Sequence, residues 1–244
     1  MFIDVHCHLD MLKDIDSVIE RARKKGVGII VANGIDYETN RKVLALSGKF
    51  KEVKAALGVY PIDALKMSSS GIDKEIEFIR ENAGEIVAIG EVGIDYKESN
   101  EKERQEENFI KFIKLAKEIG RPIIVHSRKA EKECVEILER MMARRVIMHC
   151  FSGNMGLVEK IIENSWFLSI PTSVAYNGQF QLVVKEVPIE NLLCETDSPF
   201  MHPERKGENS PENVVSSYAK IAEIKGLSLE EVKRKIEGNY KKLF

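Results

Sequence analysis

Two histidines near the start of the chain have the spacing of metal ligands. His6 and His8 lie in the segment DVHCH, residues 4–8, directly after a short apolar run. Because side chains alternate along a β-strand, both imidazoles face the same side and are about 7 Å apart along the strand. Two imidazoles so placed can bind one metal ion. Taken alone, the pair can also be two polar residues at the end of a strand.

Two further histidines and two carboxylates occur in the same kind of position. His126 ends the run IIVH, His149 ends VIMH, Glu91 ends AIGE and Asp197 follows LLCET. An unpaired charge after such a run is costly to bury, whereas imidazole and carboxylate are ligands of Zn, Mn, Fe and Co. Six ligands are too many for one tetrahedral zinc. We therefore favour two metal ions that share Glu91, and the alternative is a coincidence of six polar strand ends without a metal.

The periodicity of the chain indicates which elements position these residues. Short β-branched runs alternate with amphipathic stretches whose apolar residues recur at helical spacing. The runs predict eight strands: Phe2–Val5, Gly28–Asn33, Lys54–Val59, Ile86–Glu91, Pro122–His126, Arg145–Cys150, Phe167–Ile170 and Leu192–Thr196. No linker interrupts the pattern, so residues 1–244 are predicted to form one α/β domain, a (β/α)8 TIM barrel. In this fold the carboxyl ends of the strands form the catalytic face.

The composition excludes several classes of protein. The chain has 244 residues, of which 43% are hydrophobic, and its net charge is -2, so it is neither disordered nor generally basic. A nucleic-acid partner would have to be held by a local site. The 4 cysteines are far apart and are predicted to be reduced. No apolar run approaches the ~18 residues of a membrane span, and the N-terminus does not resemble a signal peptide. We predict a cytoplasmic protein without membrane contact.

Two long stretches interrupt the alternation of strands and helices. Gly58–Gly71 follows the third strand and Pro199–Pro211 follows the eighth. In a barrel both would lie at the catalytic face, where loops vary most freely. They are therefore candidate substrate-contacting segments. Two helix starts are also predicted. The charged run Lys97–Glu107 is predicted to be the solvated start of a long helix, and Ser210 is predicted to be the N-cap of a helix that begins at Pro211.

Five motifs in order give the chain a family resemblance. They are FIDVHCHLD at 2–10, AIGEVGIDY at 88–96, PIIVHSR at 122–128, MHCFSG at 148–153 and ETDSP at 195–199. Together they resemble the TatD family of metal-dependent hydrolases over the whole chain. The resemblance implies a TIM-type barrel and two divalent metal ions, whether Zn, Mg or Mn. It also implies phosphodiester hydrolysis, commonly of DNA from the 3′ end, with hydrolysis of tRNA-linked esters in some members.

The resemblance also implies roles for individual residues. It places His6, His8, Glu91 and Asp197 around one metal ion, and Glu91, His126 and His149 around the second. Asp197 and Glu91 would be the catalytic residues. Asp197 would orient the attacking water and take its proton.

Two other acids in the same motifs are predicted to support the ligands. Glu195 lies two residues before Asp197, on the same side of the strand and one layer deeper. A buried carboxylate there would orient a histidine ligand through its second ring nitrogen. Asp95, in the loop after the fourth strand, is expected to act in the same way or to cap a turn.

The substrate contacts are the least specific part of the sequence. Arg128 follows His126 by two residues and either binds a phosphate or is an ordinary loop arginine. Tyr60 stands where family members usually carry histidine, and it can donate a hydrogen bond or stack on a base. Glu208 replaces a familiar arginine, and Arg205 is a candidate substitute. His202 lies in the same loop, facing either solvent or substrate.

These observations leave three hypotheses about function. The first is a metal-dependent deoxyribonuclease, a 3′–5′ exonuclease with nucleic acid (DNA or tRNA) as its partner. The second is a carboxyl-ester or amide hydrolase, such as a D-aminoacyl-tRNA deacylase or a small-metabolite amidohydrolase, because the same activated water attacks a carbonyl carbon. The third, a non-catalytic scaffold, is disfavoured because every ligand needed for hydrolysis is present. A monomer is expected.

Overall fold

Eight parallel strands form a single sheet that curves into a barrel. The computed structural model describes residues 1–244, and the strands follow one another around the sheet in chain order. Their bounds are β1 Phe2–Cys7, β2 Val27–Asn33, β3 Val53–Leu57, β4 Ile86–Asp95, β5 Ile123–Arg128, β6 Val146–His149, β7 Phe167–Ile170 and β8 Leu192–Cys194. All eight predicted strands are present, and the predicted single-domain (β/α)8 TIM barrel is confirmed.

The barrel is closed between β8 and β1 by residues just beyond the end of β8. The Asp197 backbone N–H donates to the His6 carbonyl at 3.0 Å. One layer deeper, the buried Asp4 carboxylate accepts the Thr196 N–H at 2.9 Å and the Thr196 hydroxyl at 2.6 Å. A side chain thus replaces ladder hydrogen bonds at this seam. The closure brings Asp197 beside the histidines of β1.

Ten α-helices surround the barrel. They are α1 Ile15–Lys24, α2 Tyr37–Lys49, α3 Pro61–Lys66, α4 Ser69–Glu81, α5 Lys102–Ile119, α6 Glu131–Arg140, α7 Met155–Glu163, α8 Gly178–Glu186, α9 Val214–Lys225 and α10 Leu229–Leu243. A capping box opens α10, because the side chains of Ser228 and Glu231 each accept the other residue's backbone N–H. None of the helices has the length and apolar character needed to span a membrane.

Two predicted helix starts are wrong. The helix α5 begins at Lys102 rather than Lys97, because the N–H groups of Lys97 and Glu98 are bound by the Asp95 side chain in a turn. Ser210 opens only a short 3-10 helix, and its hydroxyl donates to Glu212 instead of capping the backbone. Both errors arise because local side-chain bonds delay the helix.

The apolar core fills the barrel wall and the layer beneath the helices. In β1, Ile3, Val5 and Cys7 are fully buried, and the thiol of Cys7 donates to the Val31 carbonyl of the neighbouring strand. Side-chain alternation therefore directs His6 to the opposite face of the strand. All four cysteines are free thiols, as predicted.

Candidate metal centre

The six predicted ligands converge at the carboxyl end of the barrel. They are His6 of β1 and His8 directly after it, Glu91 of β4, His126 of β5, His149 of β6 and Asp197 after β8. All except His6 line a pocket of about 630 Å³, and His6 lies fully buried beneath it. The structure therefore places residues from five strands in one site.

The sequence analysis predicted that Glu91 and His126 end their strands, and this is wrong. Strands β4 and β5 continue together to Asp95 and Arg128. Their pairing shifts register between Ile89 and Val92, at the position of Glu91. Such an irregularity redirects a side chain within a strand. The local sequence does not reveal it, because it depends on how the two strands pair.

Glu91 has its two carboxylate oxygens directed to different pairs of histidines. Its Oε2 lies 3.3 Å from the Nε2 of His8 and 3.6 Å from the Nε2 of His6. Its Oε1 lies 2.8 Å from the Nδ1 of His126 and 3.3 Å from the Nε2 of His149. This is the geometry expected of a carboxylate shared between two cations.

Asp197 completes the first of these groups. Its Oδ1 lies 3.5 Å from the Nε2 of His6 and 3.7 Å from the Nε2 of His8. Its backbone is in the left-handed region, with φ at 53°, a strained conformation of the kind found at functional sites. The ligand atoms of His6, His8 and Asp197 lie within 4.8 Å of one another, as do those of Glu91, His126 and His149.

Unpaired polar atoms at the site are consistent in type with metal ligands. Both ring nitrogens of His6 and the Nδ1 atoms of His126 and His149 are buried without a hydrogen-bond partner. Buried polar atoms are nearly always paired. Imidazole and carboxylate are also the ligand types of divalent transition metals. The residues present therefore fit a divalent-metal centre.

Mutual electrostatics keep the carboxylates ionised. Burial raises the pKa of Glu91, but His149 and His126 lower it by more, so its pKa is well below the usual value. Burial also raises the pKa of Asp197, and the nearby His6 imidazole and the charge of His149 reverse that effect. An ionised carboxylate is the form that binds a cation.

The two predicted supporting acids both lie beside histidines of the second group. Asp95 Oδ2 is 3.2 Å from the Nε2 of His126. Glu195 Oε1 is 3.4 Å from the Nδ1 of His149 and accepts the Cys150 N–H at 2.9 Å. The other carboxylate oxygen, Oε2, accepts a hydrogen bond from the Ser169 hydroxyl. Both acids are fully buried. Asp95 also accepts two N–H groups of the turn that follows it, so it caps that turn as well as lying beside His126.

Two of the four candidate substrate residues line the pocket. The Tyr60 hydroxyl donates to Asp95 Oδ2 at 2.6 Å, so its proton is already engaged. Arg128 is exposed at the rim and pairs with Glu98 at 3.1 Å. Surface ion pairs of this kind are weak, and Arg128 remains able to exchange its partner.

The other two candidates do not line the pocket. The guanidinium of Arg205 lies over the Tyr176 ring, 4.0 Å from its centroid. The Nδ1 of His202 accepts the backbone N–H of Glu204 at 3.1 Å. Both side chains are held by local contacts within or beside the loop after β8.

The centre has an apolar lining, of which the sequence analysis indicated only the stretch Pro199–Pro211 and did not single out any residue. It consists of Met11, Ile35, Phe180, Phe200 and Met201. Phe200 is 53% exposed and lies edge-on to His8, with ring centroids 6.1 Å apart. Its position directly after the motif ETDSP is the signal that could have identified it.

Comparisons with known proteins agree with this geometry. The model of the family described as TatD related DNase matches residues 3–244. The human protein named Deoxyribonuclease TATDN3 is 34% identical, with 99% of this chain and 94% of the relative covered. The uncharacterized metal-dependent hydrolase MJ1582 of Methanocaldococcus jannaschii is 37% identical, with 100% and 96% covered.

A solved structure gives the same result for the fold. The crystal structure of YjjV, a TatD homolog from Escherichia coli K12, superposes with a TM-score of 0.94 at 28% identity. The match covers 100% of this chain and 97% of that one. The ligand cluster at the carboxyl end of the barrel and the match along the whole sequence lead to one conclusion. The chain belongs to the TatD family of metal-dependent hydrolases.

Proposed function

We propose that the protein is a metal-dependent deoxyribonuclease that removes nucleotides from the 3′ end of DNA. The observation that carries the proposal is Glu91, whose two oxygens face separate groups of histidines at the floor of an open pocket. Two-metal centres of this kind hydrolyse phosphodiesters in many nucleases. The family description and the name of the human relative support DNA as the substrate.

Two divalent ions would be held by the six converging residues. His6, His8 and Asp197 would hold one ion, His126 and His149 the other, and Glu91 would bind both. When bound, such ions supply electrophilic activation of the attacking water and of the phosphate oxygens. The fixed positions of the strands keep the six donors preorganised.

Asp197 is the residue proposed to take the proton of the attacking water. Its carboxylate is 8% exposed at the pocket floor, its lowered pKa keeps it ionised, and Oδ1 is the oxygen nearest to both histidines. Oδ2 is left to accept a hydrogen bond from water and to orient it toward phosphorus. The proton then resides on Oδ2 until it passes to the leaving oxygen or to solvent.

The pocket suits one terminal nucleotide. Its volume of about 630 Å³ lies in the range of small-ligand sites. The exposed face of Phe200 can stack on a base. Arg128 can exchange Glu98 for a phosphate, which binds its guanidinium by two hydrogen bonds. A continuous duplex would not enter such a pocket, which favours attack at an end.

A time course on end-labelled single-stranded DNA tests the proposal. Protein reconstituted with Mn²⁺, Mg²⁺ or Zn²⁺ should shorten a 5′-labelled strand one nucleotide at a time. Chelated protein and Asp197→Asn should be inactive, or at least about 100-fold slower, since general-base catalysis contributes that much. Internal cleavage or release of a 5′ nucleotide first would refute the exonuclease and its polarity. Wild-type turnover by Asp197→Asn would refute its role.

One observation favours a second candidate, a carboxyl-ester or amide hydrolase. Arg128 is the only lysine or arginine that lines the pocket, and Glu98 neutralises it. The acidic Asp63 also lines the pocket. A site for a neutral ester needs no further cation. Turnover of an aminoacyl-tRNA or a small ester, without any shortening of DNA, would establish this alternative.

A further inference from the structure

Tyr60 contacts two residues of the site at once. Its hydroxyl donates to Asp95 Oδ2 at 2.6 Å. Its ring packs edge-on against the His126 imidazole, with centroids 5.0 Å apart and planes at 75°. The phenol thus holds both the imidazole and the carboxylate that faces it.

Asp95 is held rigidly by the turn that follows it. Its Oδ1 accepts the N–H groups of Lys97 at 2.8 Å and Glu98 at 3.1 Å. Its own N–H donates to Gln105 Oε1 at 2.7 Å. Oδ2 is therefore the only oxygen available to His126, and Tyr60 shares it. Removing the phenol would leave Oδ2 with one partner fewer in a fully buried place.

This carboxylate determines which nitrogen of His126 carries the proton. The Nε2 atom lies 3.2 Å from Asp95 Oδ2, which can only accept. The proton therefore belongs on Nε2, and the lone pair is on Nδ1. Nδ1 lies 2.8 Å from Glu91 Oε1 and has no hydrogen-bond partner. Two acceptor atoms so close together need a positive centre between them, which is a proton in metal-free protein and would be the metal ion in loaded protein.

The backbone that carries Tyr60 is fixed as well. The Gly58 N–H donates to Asn40 Oδ1 at 3.1 Å, and Asn40 Nδ2 donates to the Gly58 carbonyl at 2.9 Å. A Cβ on Gly58 would lie 2.7 Å from the Glu91 carbonyl, so the loop is packed against the ligand-bearing strand. The Tyr60 N–H donates to the Ile35 carbonyl at 2.8 Å. The phenol is therefore preorganised.

We propose that Tyr60 is a positioning residue for the second metal ion. Its hydroxyl orients Asp95, which holds His126 in the tautomer that presents Nδ1 to the cation shared with Glu91. Because the hydroxyl donates its proton to Asp95, it does not donate a hydrogen bond to the substrate. The inference rests on the metal-dependent hydrolase proposed above, but not on DNA being its substrate.

Metal binding by Tyr60→Phe tests the proposal without any substrate. The substitution removes one oxygen and keeps the ring against His126. Titration of Zn²⁺ or Mn²⁺ into metal-free protein, in competition with a chelating dye, should show two sites, of which one is weakened about 10-fold. Tyr96→Phe is the matched control, because the Tyr96 hydroxyl also donates to a carboxylate, Glu106, at 2.7 Å. Its two affinities should remain within about 2-fold of wild type.

Two further measurements separate this role from a general loss of structure. In Zn²⁺-loaded protein, the ¹⁵N chemical shifts of His126 should indicate a proton on Nε2, and Tyr60→Phe should add a population with the other tautomer. The affinity loss of Asp95→Asn should be at least as large, and the double variant should lose no more than Asp95→Asn alone, since residues in one chain of hydrogen bonds do not act additively. Unchanged affinities and tautomer in Tyr60→Phe would overturn the proposal, as would losses that simply add. Failure to cleave DNA would leave it standing.

Discussion

Replacing Glu195 with glutamine should weaken metal binding at His149 by about 10- to 100-fold, the usual effect of removing a carboxylate behind a histidine ligand. Glu195 Oε1 lies 3.4 Å from the Nδ1 of His149. Burial lowers the pKa of His149, but the charges of Glu195 and Glu91 raise it well above its ordinary value. Loss of one charge makes the imidazole a poorer electron donor.

The substitution should leave the fold intact. Glu195 Oε1 accepts the rigid Cys150 N–H, whereas Oε2 accepts the Ser169 hydroxyl. A glutamine can retain its oxygen at the first position and place its amide N–H₂ against Ser169, whose hydroxyl then turns to accept. Hydrogen bonds are exchanged rather than lost, so the free energy of unfolding of metal-free protein should fall by no more than about 1 kcal/mol.

Titration of metal-free protein, followed by calorimetry or a competing dye, measures the effect. Glu52→Gln is the control, because Glu52 is also a buried carboxylate but binds Arg23 at the start of β3, away from the site. It should retain both metal affinities. Unchanged affinities in Glu195→Gln would refute the argument, and so would an equal loss at both sites.

Two further predictions concern the metal ions and the pocket. Chelation should lower the melting temperature measured by circular dichroism, because a metal present at 100 times its dissociation constant stabilises the fold by about 2.7 kcal/mol. An unchanged melting temperature would mean that the six residues do not bind metal. Phe200→Ala should raise KM for single-stranded DNA about 10-fold with kcat nearly unchanged, since stacking on one base contributes roughly 1–3 kcal/mol. Leu182→Ala, an exposed residue that does not line the pocket, is its control, and equal KM values in both variants would exclude stacking on Phe200.

The sequence alone predicted the barrel and its six converging residues. Alternation of apolar and polar residues is a local property, so the eight strands appear within a few residues of their observed bounds. Histidines at the predicted ends of three strands were enough to indicate a metal centre, because the parallel strands of a barrel bring their carboxyl ends to one face. These histidines are His6, His8, His126 and His149. All five motifs carry at least one of the six ligands, and two of them also carry the other acids of the site, Asp95 and Glu195.

Only the tertiary structure decided how each side chain is directed. The register shift that aims Glu91 depends on the pairing of β4 with β5. The bond between Tyr60 and Asp95 joins residues 35 positions apart, and the seam between Asp4 and Thr196 joins residues 192 apart. Arg205 was an equal candidate for the pocket until its stacking on Tyr176 placed it outside. Residue type and spacing specify which groups reach the rim of the barrel, whereas contacts between distant segments determine which of their atoms face the site.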